Sequence, residues 1–178
     1  MKSSLHPTSI DDLDVLSEFL ARAFDAGPGA PLLNPAVMTG IYWDRRDDWS
    51  GPRSYVLLRD GAIVAHAGIW PIPYRTGADA LRGVHMIDWA SAKDSPGAGL
   101  ALVQKLAAMF DFIVSIGGSE MTCKVLPAFG FVECTRVERR APASAATADS
   151  DSPEPQLETR TQAHPKLVVD DAERHEFK

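Results

Sequence analysis

Apolar residues recur at Ile10, Leu13, Leu16, Leu20 and Phe24, a spacing that predicts an amphipathic helix over residues 10–26. Acids lie early in it and Arg22 late, matching the helix dipole, and Gly27-Pro-Gly ends it. A short second helix is predicted from Pro35 to Trp43, before a charged loop, Asp44-Arg-Arg-Asp-Asp48. The period then changes. Tyr55–Leu58 and Ala62–Ala65 flank Arg59-Asp-Gly61, and Asp-Gly is a favoured tight turn between two strands. The second strand is expected to run on to Ile69 and to stop at Pro71 and Pro73.

After a polar connection from Thr76 to Arg82, Val84–Ser91 reads as a strand and Leu100–Phe110 as a helix. Its core stripe is Leu100, Val103, Leu106, Ala107 and Phe110, with Leu102 and Met109 suggesting cover on a second side. Asp111–Gly118 reads as a buried strand ending in glycines. Ser119 caps a short helix that stops near Pro127, and Phe131–Arg139 alternates as a final strand would. From Ala141 onward Ala, Ser, Thr, Asp and Pro dominate, too little apolar surface to offset the entropy of ordering. The expected organisation is a folded domain over residues 1–140 and a disordered acidic tail over residues 141–178.

The net charge of −6 is uneven: the tail carries eight acids against four bases, and residues 1–140 carry 16 acids against 14 bases. Neither part offers a basic field for a nucleic-acid backbone. No run approaches the roughly twenty apolar residues of a membrane helix. The start, Met1-Lys-Ser-Ser-Leu-His-Pro, has no apolar signal-peptide core, so a cytoplasmic protein is expected. Cys123 and Cys134 lack metal-ligand spacing, no metal site is expected, and both are read as buried free thiols.

The junction Asp94-Ser-Pro-Gly-Ala-Gly99 carries the most chemistry. A strand that turns through glycines into a helix lets backbone amides approach an anion, with the positive end of the helix behind them. Ser95 is the expected N-cap, with Pro96 in the first helical position. A dinucleotide fingerprint would need a third glycine where Leu102 stands, and a nucleotide-triphosphate loop would need Gly-Lys-Ser/Thr, which is absent.

The element order over residues 10–140 resembles the GCN5-related N-acetyltransferase superfamily. Its signature, Arg/Gln-x-x-Gly-x-Gly/Ala at the turn from the fourth strand to the third helix, is matched at Gly97 and Gly99. Ala128-Phe-Gly-Phe131 is similar to the family's Gly-Phe turn, and the hairpin Tyr55–Ala67 to its second and third strands. The resemblance implies an α/β (α+β) fold with a mixed, splayed central sheet flanked by helices. It implies acyl-CoA, acetyl-CoA above all, held by backbone at Gly97, Ala98, Gly99 and Leu100, with Trp89, Ala90 and Ser91 offering donors to the acyl carbonyl. Four positions depart from the pattern. Asp94 replaces the usual Arg or Gln, Pro96 removes an amide, Leu126 stands at a frequent tyrosine, and Ser119 at a common asparagine. Weak CoA affinity is the expectation, and Lys93 is a candidate replacement cation.

Asp88 and His85 are the titratable residues on the loop's strand and the candidates for handling an amine's proton. Strict alternation puts them on opposite faces, which argues against a pair; a hydrogen-bonded acid and a core or edge histidine are the structural alternatives. His66, mid-strand, reads as structural. Trp43, Trp49, Trp70 and Trp89 are read as core, with walls of an acceptor pocket as the alternative. The Asp44–Asp48 run reads as a solvated loop. The leading expectation is a direct acyl transfer to a small-molecule amine, with a homodimer as a possible assembly. A non-catalytic module of the same fold, or a fragment of a longer acyltransferase, stands as the alternative.

Overall fold

The Asp60-Gly61 turn forms as its sequence predicts. Both residues have positive φ, 51° and 81°, the type I′ geometry whose twist matches paired strands. It joins β2 (Ser54–Arg59) to β3 (Ala62–Thr76) in the computed structural model, which describes residues 3–116 and 119–132. β3 does not stop at its prolines. The Ile69 amide donates to the Arg53 carbonyl at 2.8 Å, just past the start of β2. Positions 71 and 73 share the parity of Ile69, so their missing N–H groups lie along the same edge, beyond the reach of β2. The other edge of β3 stays paired with β4 (Asp79–Ser91) throughout, through Gly77 and Ala78 at the turn, so the predicted connection is itself sheet.

β1 (Ser3–Pro7) was not legible in the sequence. Its one large apolar side chain, Leu5, pairs with Leu57, and its order comes from the edge of β2. β5 (Phe112–Ser115) lies parallel to β4 after a helical crossover. Among the described residues the sheet is mixed and five-stranded, in the order β1-β2-β3-β4-β5.

A 3-10 turn at Ile10–Asp12 precedes α1 (Leu13–Phe24), which buries Leu16, Phe19 and Leu20; Ile10 and Phe24 remain 49% and 41% exposed. α2 (Pro35–Tyr42) is capped by Asn34, whose side chain accepts from the amides of Ala36 and Val37. These helices cover one face of the sheet, packing Leu16, Leu20, Met38 and Tyr42 against Val56 and Ala90. α3 (Ala98–Ala107) covers the other face, where Leu102, Val103 and Leu106 meet Leu57, Ile69, Val84 and Met86. Leu102 is thus a core residue, whereas Ala107 of the predicted stripe is exposed.

α4 (Glu120–Val125) is capped by the Ser119 side chain and runs into a 3-10 turn at Leu126–Phe129, so Pro127 tightens the chain rather than ending it. Phe131 and Val132 are in no strand; the rest of the predicted final strand, the tail and Cys134 lie outside the described residues. Cys123 is exposed, not buried, because it faces out from a one-and-a-half-turn helix with no buried residue. No helix among the described residues is long and apolar enough to cross a membrane. Leu102→Ala should cost about 2–5 kcal/mol, read as a lower urea midpoint at unchanged slope.

Candidate active site

Opposite Ala67 of β3, β4 carries two residues instead of one: His66 pairs with Ala90 and Gly68 with Ile87, leaving Asp88 and Trp89 between them. This is a β-bulge, and Asp88 takes a φ of 47° to make it. The extra residue shifts the parity of the strand. Ile87 and Ala90, three apart, both pack toward α1 and α2, while Met86 and Trp89, also three apart, both pack toward α3. Asp88 therefore turns onto the α1/α2 face, and its carboxylate accepts a 2.7 Å hydrogen bond from the Tyr42 hydroxyl. His85 lies on that same face, opposite Trp70. The expectation that the two residues point apart is overturned, because it assumed an unbroken period of two.

A non-glycine residue at positive φ costs of order 1 kcal/mol or more, so the bulge needs support. Tyr42 holds the side chain and His66 the backbone, its Nδ1 donating to the Asp88 carbonyl at 3.0 Å. Gly68 makes room: a Cβ there would lie 2.7 Å from Tyr42 and 2.9 Å from Ile87. Burial, then the charge of Asp88 and its hydrogen bond, push the Tyr42 phenol far up, so it stays a donor. Burial pushes His66 down to about 4 against the pull of Asp88. Half-buried His85 is lowered by desolvation and partly raised by Asp88, so it is neutral at pH 7.

On the other side of β4 the sheet splits. β5 pairs with Gly83–Met86 only, so among the described residues Ile87–Ser91 has no strand beyond it on that edge. A cleft of about 290 Å³ opens there, lined by Trp89, Ala90, Ser91, Gly97, Gly99 and Leu100, with Ser119 and Thr122 of α4 across from them. Ala98 is fully buried in the core instead, and its amide donates to the Ser95 carbonyl at 3.1 Å.

That bond closes a turn over Ser95–Ala98, with Pro96 second and Gly97 third at φ 79°, ψ −7°, the type II pattern. Gly97, not Ser95, is thus the N-cap, and Pro96 precedes the helix rather than opening it. No side chain among the described residues caps α3, and the amides of Gly99 and Leu100 at the cleft have no intrahelical acceptor. Gly99 also answers to packing: the Trp89 indole donates to its carbonyl at 3.1 Å, and a Cβ on it would stand 3.2 Å from the indole nitrogen.

Asp94 is exposed, does not line the cleft, and accepts from the Ser95 hydroxyl. Lys93 does not line the cleft either; it reaches Asp25 at 3.2 Å in an exposed ion pair at the end of α1.

No protein-family model matches the sequence, and no curated protein matches it. Solved structures do match the fold. An acetyltransferase from Trypanosoma brucei superposes with a TM-score of 0.57 at 19% identity, over 79% of this chain and 99% of that one. A GCN5-related N-acetyltransferase from Ralstonia eutropha gives 0.51 at 17% identity, over 80% and 100%. The chain has the GCN5-related N-acetyltransferase fold. A predicted acetyltransferase from Clostridium acetobutylicum, crystallised with acetyl-CoA, gives 0.53 at 12% identity, over 79% of this chain and 96% of that one.

Leu126, set by the resemblance at a frequent tyrosine position, is buried in the same core cluster as Leu102, Val103 and Leu106 and does not line the cleft. The sequence reading missed Tyr42, Gly68 and Ser54. Only Gly68, an isolated glycine inside a strand pattern, carried a local signal for a bulge or close approach.

Folded His66 binds its proton below its unfolded value, so the unfolded chain holds more protons between about pH 4 and 6.5 and stability falls as pH drops through that window. The loss should be about 3 kcal/mol at pH 4 relative to pH 7. Urea unfolding at pH 4.5 and 7.0 should show it, and His66→Asn should flatten the difference. Tyr42→Phe should cost about 1.5–3 kcal/mol, the value of a hydrogen bond to a charged group, by the same measurement.

Proposed function

We propose that the chain is an acyl-CoA-dependent N-acyltransferase that moves an acetyl or similar acyl group directly onto a small-molecule amine. The observation that supports this most is the bulge. It brings His85 and Asp88 to one face of β4, in the part of the strand whose other edge no described strand pairs at the cleft.

The cleft suits the donor in kind. Among the described residues its lining carries no charged side chain, which fits an apolar thioester arm, and the uncapped amides of Gly99 and Leu100 suit a phosphate at the helix end. With no basic residue among the described residues of that lining, binding is expected to be weak. Acyl-CoA supplies an activated thioester; the rest falls to the protein. His85, neutral at pH 7, takes the proton of the attacking amine, and the Asp88 carboxylate stabilises the imidazolium that results. As the C–N bond forms and the C–S bond breaks, the departing thiolate takes its proton from water, because Leu126 offers none. Trp70, 41% exposed and opposite His85, gives the amine an aromatic wall, with the Arg46 guanidinium 4.3 Å over its ring.

Calorimetry should detect acetyl-CoA, and no binding at millimolar concentration would overturn the reading. His85→Gln should lower kcat by about 10²–10⁴-fold with acyl-CoA binding unchanged. The wild-type rate should fall as pH drops through the depressed His85 pKa, and Asp88→Asn should move that acid limb to lower pH by removing the charge that raises it. Leu126 favours a second reading, a non-catalytic module of the same fold. Acetyl-CoA binding without CoA release on any of a broad panel of amines would select it.

A further inference from the structure

His66 is fully buried, and its two ring nitrogens are both engaged. The Asp88 carbonyl 3.0 Å from Nδ1 can only accept, so Nδ1 carries the hydrogen. In the neutral ring Nε2 must then accept, and the partner 3.1 Å away is the Ser54 hydroxyl, which spends its only hydrogen there. Ser54 Oγ in turn accepts from the Thr8 hydroxyl at 2.6 Å, and Thr8 Oγ1 accepts from the Trp43 indole at 3.1 Å. Every donor in this series has one permitted direction. The series starts at an N–H that can only donate and ends at a C=O that can only accept. No side-chain polar atom buried among the described residues lacks a partner.

We propose that His66 is the positioning residue that locks the Asp88 bulge, as the last link of a one-way hydrogen-bond chain running Trp43, Thr8, Ser54, His66, Asp88. The chain crosses the fold from the residue after α2, through the residue after β1, to β2, β3 and β4. It fixes the bulge backbone from inside the sheet while Tyr42 fixes the Asp88 carboxylate from above. A protonated ring would set Nε2–H against an oxygen whose own hydrogen would lose its acceptor, so the arrangement holds the ring neutral. Its depressed pKa agrees. The catalytic consequence, that Asp88 stays beside His85, rests on the acyltransferase reading; the structural one does not.

The test separates the two ends of the imidazole. Asparagine places its amide near Nδ1 and keeps a donor for the Asp88 carbonyl, whereas glutamine reaches toward Ser54 and leaves that carbonyl without one. Nitrogen-15 NMR of the histidine rings should show His66 as the Nδ1–H form at pH 7, against the Nε2–H form that free imidazole side chains prefer. The His85 titration midpoint should stay at its wild-type value in His66→Asn and fall in His66→Gln by most of the drop that Asp88→Asn produces. With acyl-CoA and an accepted amine, His66→Gln should lose on the order of 10–100-fold in kcat at unchanged KM for acyl-CoA, and His66→Asn should recover most of it. An Nε2–H or charged His66 at pH 7, or a glutamine variant equal to or better than the asparagine one in the His85 titration, overturns the proposal. If the wild-type protein turns over no amine, the acyltransferase reading fails, and the ring form and the His85 titration still decide this proposal.

Discussion

One extra residue in β4 governs the arrangement of everything near the candidate site. Held at positive φ by a phenol on its side chain and an imidazole on its carbonyl, Asp88 turns the strand's outward and inward faces over within two positions. The bulge does two jobs because a strand has two sides and two edges. It carries Asp88 across to the face of His85, and it presents the Trp89 side chain to α3, where the indole bonds the first turn of that helix. Removing the bulge would undo both placements together.

The packing around it is arranged to keep that residue in place. Gly68 is the gap through which Tyr42 reaches the sheet, and α2 is set by its Asn34 cap and by Arg53. That arginine is buried and donates to the carbonyls of Gly40 and Asp44 at the end of the helix. A buried guanidinium bonded only to carbonyls is costly to desolvate, and burial lowers its pKa accordingly. Its return is a fixed C-terminus for α2, and so a fixed Tyr42 and Trp43. On the opposite face, the type II turn before α3 delivers an uncapped helix end to the cleft, with Pro96 and Gly97 supplying the two backbone angles that turn requires.

Much of the fold could be read along the chain because its signals are local. The I′ turn at Asp60-Gly61, the Ser119 cap, and the helical spacing from Leu13 to Leu20 depend on neighbours in sequence. The turn from strand through glycines into α3 was legible for the same reason. Three of the errors share one cause. Pro71 and Pro73 end a strand only if their edge needs donors, and that depends on where β2 begins; β1 exists only because β2 offers an edge; and the faces of His85 and Asp88 depend on a count of residues across two strands.

The sequence by itself determined the first two helices, the hairpin and the strand–loop–helix order that opens α3, since each rests on contacts within a few residues. Tertiary structure alone decided that His85 and Asp88 share a face, and that His66, Ser54, Thr8 and Trp43 form one chain. The physical reason is that a bulge is a mismatch in length between two paired strands, and a hydrogen-bond chain is a property of five separate segments. Neither exists until the segments meet.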